Sequence, residues 1–424
     1  MATLVARLDT NGVSVRSRST LAYRSLLLFS VLYFSRPEDF IPGLAVIPLE
    51  KILGGVALLA LLGGFAAGNL RTKFPLELKL LLLLFVHLCL TIPFAYWRGG
   101  SFAVVTERFS KDVIVGLLAT LIVQSFIQLR QLVFVQAVAV GAMTMLSVAL
   151  HQGGTRMRGA SSGIYGNPND LAITIAINWP LCLAFLLAAR SRLAKLFWCA
   201  VLLTMLYGVV ATYSRSGLLA LILSVMVCLW EFGVKGKRRY LLGLAGLLGV
   251  VGLGVTLATP GYMARLESIL QGGTAGSADR GSWEARRELL ESSVQLATHN
   301  PIFGVGPGNF PAVTGLWRVV HNTFTELGAE GGLPALGLFV AILALAFRNL
   351  RRVRETEAYR DGPEVSLLTG ALWASLAAYV VGAAFSSTEY QLFPYFMVAY
   401  TSVLYRITQR QEALSASVIE MAKL

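Results

Sequence analysis

Residues 193–212 read LAKLFWCAVLLTMLYGVVAT, and residues 216–233 read SGLLALILSVMVCLWEFG. Each run is about as long as the roughly 20 apolar residues that an α-helix needs to cross the hydrocarbon core of a bilayer. Three residues, Tyr213-Ser214-Arg215, separate the two runs, which leaves room for a tight turn and little more. The two runs therefore predict a pair of consecutive transmembrane helices joined on one face of a membrane.

The composition of the 424-residue chain extends this interpretation to its whole length. Hydrophobic residues make up 55% of the chain and charged residues 14%, whereas a soluble globular chain carries roughly 25% charged residues. This excludes a soluble domain, a coiled coil and a disordered chain. Twelve apolar runs of spanning length lie at 21–35, 47–67, 76–96, 111–128, 131–150, 169–189, 193–212, 216–233, 241–259, 322–347, 366–386 and 391–409. The chain is predicted to be an all-α polytopic membrane protein with about twelve transmembrane helices.

Charges between the runs predict the orientation of the spans. The net charge is +13, and because cytoplasmic loops carry the excess of Lys and Arg, we attribute it to topology and expect no nucleic acid as partner. With a cytoplasmic N-terminus, the basic clusters that lie inside are at 71–73, 190–195, 235–239 and 348–360. Residues 1–259 then hold spans one to nine, residues 260–320 form a large periplasmic loop with short helices, and residues 321–424 hold spans ten to twelve and a cytoplasmic tail.

Arginine dominates the outer segments of this topology. Because its guanidinium is planar, it grips phosphate oxygens in two places, and it keeps its charge at neutral pH. Eleven of the twelve outer cations are Arg: Arg36, Arg98, Arg108, Lys111, Arg156, Arg158, Arg215, Arg265, Arg280, Arg286, Arg287 and Arg318. The alternative role is to anchor lipid headgroups and pair with acids, which we favour for Arg286 and Arg287 on an amphipathic helix predicted at 282–296.

Arg215 has almost no loop to hold it, since apolar runs flank it closely on both sides. A charge in this position either snorkels to the interface or faces a polar cavity, and ionisable residues at membrane depth are candidates for function. The flanking residues Ser214, Ser216 and Gly217 predict close helix packing, with hydroxyl donors beside the guanidinium. We favour a functional role for Arg215 over simple anchoring.

A second candidate site lies before span six. Arg156 and Arg158 precede the run Asn167-Pro168-Asn169-Asp170, whose polar side chains are typical caps of a helix N-terminus. A helix start with two arginines nearby is also suited to binding an anion. The sequence leaves both interpretations open.

His321 begins span ten, and on a helix it would share a face with Thr325 and roughly with Glu330. Histidine has an unperturbed pKa near 6.5 and exchanges protons near neutral pH, so His321 is a candidate general base, with a capping or interfacial role as the alternative. The other histidines are predicted to be structural or interfacial: His87, His151 and His299. The four cysteines and the acids show no metal-ligand spacing, so no metal site is expected.

Four motifs in order between residues 213 and 335 resemble those of the O-antigen ligase and polymerase superfamily of bacterial membrane glycosyltransferases, and most closely those of the O-antigen ligases. They are Ser214-Arg215-Ser216-Gly217, Asp279-Arg280-Gly281-Ser282-Trp283, Pro301-Ile302-Phe303-Gly304-Val305-Gly306-Pro307-Gly308-Asn309-Phe310 (the glycine loop), and His321-Asn322 followed by Glu330 and Gly332. Ala335 stands where the family has a final Gly.

The resemblance implies transfer of a glycan from an undecaprenyl-diphosphate carrier to lipid A–core oligosaccharide, at the periplasmic face of the bacterial inner membrane. It implies an inverting reaction that needs no metal and no other cofactor. Arg215 and Arg280, with Arg265, would hold the diphosphate. His321 would orient or deprotonate the acceptor hydroxyl, and Glu330 would orient His321 or pair with an arginine. The remaining candidates for substrate binding are Arg156, Arg158, Asn167 and Asn169.

Two alternatives remain beside the ligase. The polymerase branch of the family would join two lipid-linked repeats with the same residues. A transporter or lipid flippase is the second alternative, because twelve spans with both termini inside is a common transporter layout. Against a transporter, the sequence has no paired broken helices, few acids in the middle of spans and a long outer loop at 260–320.

Overall fold

A computed structural model describes residues 19–41, 43–66, 74–152, 156–161, 165–243, 246 and 277–421. This part of the chain is mostly helical and contains no strand. The prediction of an all-α protein is confirmed.

The α-helices of the described residues are numbered in chain order. They are α1 (Ser19–Ser35), α2 (Leu49–Ala66), α3 (Leu76–Thr91), α4 (Arg98–Ala103), α5 (Ser110–Ile122), α6 (Phe126–Ala149), α7 (Pro168–Ala188), α8 (Arg192–Ala211), α9 (Arg215–Cys228), α10 (Ser277–His299), α11 (Phe310–Thr314), α12 (Thr323–Val353), α13 (Glu357–Asp361), α14 (Pro363–Ala383) and α15 (Leu392–Met421). A 3-10 turn, Ile92–Phe94, continues α3, and π-helical turns continue α4 through Val104–Phe109 and α9 through Leu229–Lys235.

Eight helices of the described residues are long and apolar enough to cross a membrane. They are α2, α3, α6, α7, α8, α9, α12 and α14, with the continuations of α3 and α9 included. Each coincides with one of the predicted apolar runs, and the chain is a multi-pass membrane protein.

The predicted count of twelve spans is not confirmed. The apolar part of α1, Leu21–Ser35, is shorter than a span, and α5, the helix of the predicted fourth span, is not among the eight either. α15 is not among the eight, because side chains such as Tyr400 and Arg406 interrupt its apolar run. The predicted span at 241–259 lies almost wholly outside the described residues.

The predicted boundary between spans four and five is wrong by a few residues. α5 ends at Ile122, and the next helix begins after Ser125. The Ser125 hydroxyl accepts a hydrogen bond from the Gln128 amide (3.2 Å), and the Gln128 side chain accepts one from the Ser125 amide (3.3 Å). This capping box fixes the start of α6, a local signal that hydrophobicity alone does not carry.

α7 is the central helix of the bundle. Its residues from Leu171 to Phe185 are all buried, and it packs against α6, α8, α9 and α14. A helix that is apolar on every side is suited to such a place. The polar residues at its N-terminus, 167–170, therefore come to lie where several other segments of the chain converge.

Polar contacts between helix ends fall into two groups, and the charge alternation assigns both partners of each contact to the same face. At the face predicted to be periplasmic, the contacts are Tyr96–Val305, Arg156–Thr212, Tyr165–Phe34 and Asp170–Ser386. At the opposite face they are Tyr23–Gln131, Glu77–Asn349, Val123–Arg406 and Glu231–Arg354. The side of the membrane that each face meets stays a prediction.

Candidate functional site

The glycine loop packs into a break in α12. The helix is interrupted at Gly332, whose φ and ψ are 76° and 175°. Around the break the loop supplies the missing hydrogen-bond partners: Val305 N donates to Ala329 O (2.9 Å), and Leu333 N donates to Pro301 O (2.8 Å). The break therefore leaves these backbone groups satisfied, as buried backbone requires.

Glycine is required at several points of this contact. Gly304 and Gly306 have φ of 63° and 97°, in the left-handed region that favours glycine. A Cβ on Gly304 would lie 2.4 Å from the backbone carbon of Glu330, and one on Gly306 would lie 2.3 Å from the Cβ of Ala95. The spacing of glycines in this motif thus follows from close approach of the loop to α12 and to the end of α3.

His87 of α3 closes the other side of the break. Its Nε2 lies 2.8 Å from the carbonyl oxygen of Gly331, and its ring stacks against Phe303 of the glycine loop. The prediction that His87 is a structural residue is confirmed.

Glu330 fastens the glycine loop to α12. It is 1% exposed; its Oε2 accepts hydrogen bonds from Gly308 N (2.7 Å) and Tyr390 OH (3.0 Å), and its Oε1 accepts one from Phe310 N (3.1 Å). The sequence suggests His321 or an arginine as its partner, whereas in the structure Glu330 braces the loop. A part for Glu330 in substrate binding stays a prediction.

His321 lies just before α12 and not on it. Its φ of 60° is left-handed, and the next residue, Asn322, caps the helix by accepting hydrogen bonds from Phe324 N (3.0 Å) and Thr325 N (3.1 Å). The predicted helical face shared by His321, Thr325 and Glu330 is therefore wrong, because helical geometry begins only after the cap. The His321 ring is instead presented from a tight turn at the helix mouth.

The surroundings of His321 favour its neutral form. Burial lowers the pKa of His321 from its ordinary 6.5, and the positive charges of Arg286 and Arg318 lower it further, because they disfavour the imidazolium. A neutral imidazole at pH 7 has a lone pair free to accept a proton, as a general base requires. Arg286, for which the sequence favours headgroup anchoring, thus also contributes to the field at His321.

A buried acid holds the backbone around His321. Glu326, 3% exposed, accepts a hydrogen bond from Val320 N through Oε2 (3.1 Å) and another, at the same oxygen, from the hydroxyl of Ser387. The Ser387 oxygen in turn accepts a hydrogen bond from His321 N (3.2 Å). Both backbone amides on this side of the turn are therefore tied, directly or through one hydroxyl, to one carboxylate.

The polar loop, residues 386–390, links this turn to the central helix. Thr323 N donates to Ser386 O (3.0 Å), and Thr388 N donates to the Thr323 hydroxyl (2.9 Å). The Ser386 hydroxyl donates to Asp170 Oδ1 in the first turn of α7 (2.8 Å). The polar loop therefore lies between the His321 turn and the N-terminus of α7.

Arg215 is the first residue of α9, at the same end of α7. The Ser214 hydroxyl caps α9 by accepting from Gly217 N (3.2 Å), and it lies 3.1 Å from the Ser216 hydroxyl. A Cβ on Gly217 would lie 2.2 Å from the Cβ of Ala172, so α9 approaches α7 closely here. The prediction of close helix packing is confirmed. The Arg215 side chain is exposed, and hydroxyl donors beside its guanidinium stay a prediction.

Arg156 joins the ends of α7 and α8. Its Nε donates to Thr212 O (3.0 Å), and its Nη2 donates to Asn169 Oδ1 (2.8 Å). Asn167 caps α7 by accepting from Asn169 N (2.9 Å), so the capping interpretation holds for Asn167. Anion binding at this helix start stays a prediction.

Three predicted arginines have little or no described environment. Arg158 is exposed. Arg280 lies in the first turn of α10, but its side chain, like the whole of Arg265, lies outside what the structure describes. The residues that the structure brings to the N-terminus of α7 are therefore Arg156, Asn167 and Asn169, with Arg215 next to them and His321 connected through the polar loop.

Three buried acids lie close together at this end of α12: Glu326, Glu330 and Glu389. Burial, and then the neighbouring Glu326 and Glu330, raise the pKa of the Glu389 carboxyl well above its usual range. Over the described ranges, no group of three or more His, Cys, Asp or Glu side chains is arranged to hold a metal ion. The metal-independent reaction stays a prediction.

A cavity of about 960 Å³ opens beside the polar loop, between α1, α2 and α5. Its apolar wall includes Phe29, Leu32, Leu58, Ile114 and Val115, and its charged lining residues are Arg36, Glu38, Glu50, Lys51, Glu107, Arg108, Lys111 and Asp112. Tyr390 also lines it, and the hydroxyl of Tyr390 binds Glu330. A lining of this kind suits an amphipathic molecule.

Sequence reasoning missed Glu326 and the polar loop. A signal for each was present: the loop reads SSTEY between two apolar runs, and Glu326 is an acid in the first turns of a predicted span. Ionisable residues at membrane depth are costly to bury and are therefore candidates for function. Applied to acids as well as to arginines, that rule would have indicated both Glu326 and the polar loop.

Comparison with known protein families supports the resemblance drawn from the motifs. Residues 200–340 match the family model described as O-Antigen ligase, a range that contains all four motifs. The resemblance to the O-antigen ligase superfamily is thereby confirmed. This family covers O-antigen ligases and related polymerases, and it implies lipid-linked glycans as substrates. No curated protein matches the chain.

Proposed function

We propose, from the premise that this chain carries an O-antigen ligase domain at residues 200–340, that it joins a glycan from an undecaprenyl-diphosphate carrier to lipid A–core oligosaccharide. The observation that supports this best is that Arg215 and His321 lie at the same end of the central helix α7, Arg215 next to its N-terminus and His321 joined to it through the polar loop. The reaction takes place at the periplasmic face of the bacterial inner membrane. It uses no metal and no other cofactor.

The donor diphosphate is held by arginine. Arg215, exposed at the start of α9, contributes its charge and two parallel donors, and Arg280 and Arg265 complete the set. Positive groups placed in advance where negative charge develops are usually the largest contribution to catalysis. The positive N-terminal ends of α7 and α9 add to the same field.

The chemistry is a single displacement that inverts the anomeric centre. The acceptor hydroxyl oxygen forms a bond to the anomeric carbon while the bond from that carbon to the diphosphate oxygen breaks. The hydroxyl proton passes to the neutral ring of His321, and the electron pair leaves with undecaprenyl diphosphate. Arg156, Arg158, Asn167, Asn169 and Glu330 line or support the place where the sugars lie.

The test of this function is transfer by purified protein in proteoliposomes that contain carrier-linked glycan. Glycan joined to lipid A–core supports the ligase. Glycan lengthened on its own carrier, with lipid A–core left unused, would assign the polymerase reaction, which the same family covers. Movement of the carrier across the bilayer without any joining would assign a flippase or transporter.

Replacing Arg215 with lysine is expected to lower the rate of transfer by roughly 10- to 100-fold, because lysine keeps the charge but loses the bidentate fork. Protein yield and insertion stay unchanged, since the Arg215 side chain is exposed. The measurement is the initial rate of glycan transfer at equal amounts of protein.

Arg192→Lys is the matched control for Arg215→Lys. Arg192 also follows a capping serine and begins an apolar helix, α8, but at the opposite end of the bundle. It should retain full activity. Equal activity of both variants would reduce Arg215 to a membrane anchor.

Cysteine labelling tests the predicted orientation. In a variant without the four native cysteines, Trp317→Cys should react with an impermeant thiol reagent that is added from the periplasmic side, and Lys237→Cys should not. Both positions are exposed, so access depends on the side of the membrane alone. The reverse pattern would place the site in the cytoplasm and exclude a donor displayed in the periplasm.

A further inference from the structure

We propose that Ser387 and Glu326 are positioning residues that hold His321 in the conformation it needs for transfer, which rests on the function proposed for His321. The proposal assigns a role to two residues outside the predicted site. It is supported by three consecutive hydrogen bonds that connect the His321 amide, the Ser387 hydroxyl and the Glu326 carboxylate with the Val320 amide.

The His321 backbone needs support from outside. Its φ of 60° is uncommon for a residue with a side chain, and such conformations persist where the surrounding structure fixes them. Asn322 fixes the chain after His321 by capping α12. Glu326 and Ser387 fix it before and at His321, so the turn is held on both sides.

Glu326 is otherwise hard to explain. A carboxylate buried to 3% exposure is costly unless donors satisfy it. The two donors that the structure gives it, Val320 N and the Ser387 hydroxyl, both belong to the support of the His321 turn. Hydrogen bonds away from water are stronger than those at the surface, so a buried carboxyl group that accepts both of them stiffens the turn.

The residues on both sides of Ser387 are held by hydrogen bonds. The residue before it, Ser386, is bound to Thr323 N through its carbonyl (3.0 Å) and to Asp170 through its hydroxyl (2.8 Å). The residue after it, Thr388, donates its amide to the Thr323 hydroxyl (2.9 Å). The backbone around Ser387 is therefore held independently of His321, and the Ser387 hydroxyl, which donates to Glu326, accepts the His321 amide from that fixed segment.

This arrangement predicts which step the two residues affect. Displacing a reacting group by about 1 Å costs on the order of 10²-fold in rate, whereas the donor is held elsewhere, by arginine. Loss of Ser387 or Glu326 should thus lower kcat and leave KM for the carrier-linked glycan nearly unchanged. A general loss of structure would lower the amount of folded protein as well.

The experiment compares Ser387→Ala, Ser387→Thr and Glu326→Leu with the unaltered protein, by kcat and KM in the transfer assay. Ser387→Ala and Glu326→Leu, which remove the hydroxyl and the acceptor, should lose roughly 10- to 100-fold in kcat, and Ser387→Thr, which keeps the hydroxyl, should regain most of the activity. Ser30→Ala is the matched control, because Ser30 is a buried serine whose hydroxyl donates within its own helix, to Leu26 O (2.9 Å).

A second measurement separates positioning from a structural role. In a His321→Ala background, Ser387→Ala should cause no further loss, because the side chain that it positions is already gone. If Ser387→Ala lowered kcat in that background as much as it does in the unaltered protein, the proposal would be overturned. It would also be overturned if kcat of Ser387→Thr were as low as that of Ser387→Ala. Full activity of Ser387→Ala beside an inactive His321→Ala overturns the positioning role and leaves the proposed function intact. An active His321→Ala removes the role of His321 itself.

Discussion

Replacing His321 with alanine is expected to lower the rate of glycan transfer by about 10²–10⁴-fold, the usual contribution of a general base. Donor binding should stay nearly unchanged, because the diphosphate is held by arginine and not by His321. Both quantities can be measured on purified protein: transfer to lipid A–core in proteoliposomes, and retention of radiolabelled carrier-linked glycan by the variant. Full activity of His321→Ala would remove this residue from the mechanism.

Asparagine and glutamine at position 321 separate the two ways in which the imidazole can act. Both amides donate a hydrogen bond, and neither accepts a proton at neutral pH. If His321 only positions the acceptor, His321→Asn or His321→Gln should keep a measurable share of the activity. If His321 removes the proton, then His321→Ala, His321→Asn and His321→Gln should all lower the rate by the same large factor. We expect partial activity in one of the amides, since the diphosphate is a good leaving group and the arginines carry the developing charge.

The pH dependence gives an independent readout. Burial, with Arg286 and Arg318, lowers the pKa of His321 below 6.5, so the neutral, proton-accepting form predominates at pH 7. The rate should therefore be level near neutrality and fall at a more acidic pH than that of an ordinary histidine, as His321 becomes protonated. His321→Gln has no imidazole to titrate, so its residual rate should not fall at acidic pH. A fall that persisted in this variant would come from the titration of another residue. The nearest acids that could titrate there are Glu326, which holds the His321 turn, and Glu389 of the polar loop.

Much of the fold follows from the sequence because it depends on one simple property. Apolar runs of spanning length mark α6 to α9, α12 and α14 to within a few residues. The charges between the runs assign each helix end to one of two faces, and helix ends assigned to the same face are in contact in the structure. The hydropathy signal is weaker where a helix is buried by protein instead of lipid. α15 is buried among its neighbours and carries Tyr395, Tyr400 and Arg406, so its hydropathy falls below that of a span although the helix forms.

The site was harder to predict than the fold, because its geometry depends on contacts between distant residues. Periodicity places His321 on α12, but the Asn322 cap and the left-handed turn before it are local conformations that the hydropathy pattern does not show. Glu330 was recognisable as part of a motif, yet its partners Gly308 and Phe310 come from a loop twenty residues earlier. Motif spacing thus identified the residues, and only the structure distinguishes the support from the candidates for chemistry.

Replacing Gly304 with alanine is expected to destabilise the protein by more than about 4 kcal/mol, a loss that few single substitutions reach. Two costs combine at this position. Its φ of 63° is strained for any residue with a side chain, at roughly 1–2 kcal/mol, and the new methyl would lie 2.4 Å from the backbone of Glu330. Since that neighbour is helix backbone and not the end of a flexible side chain, the glycine loop would have to leave the break in α12.

Two further glycines allow the cost of the positive φ to be measured apart from the cost of the steric clash. Gly315 has a similar φ of 68° with no atom within 4 Å of an added methyl, and Gly337 lies in α12 with ordinary φ and equally open space. Gly315→Ala should thus cost only the roughly 1–2 kcal/mol of strain, and Gly337→Ala should be neutral or stabilise by about 0.5–1 kcal/mol, as expected for alanine in a helix. The measurement is the unfolding midpoint of each variant in detergent. If Gly304→Ala and Gly315→Ala were equally mild, the glycine loop would be free to move from α12, and Glu330 would not be holding it.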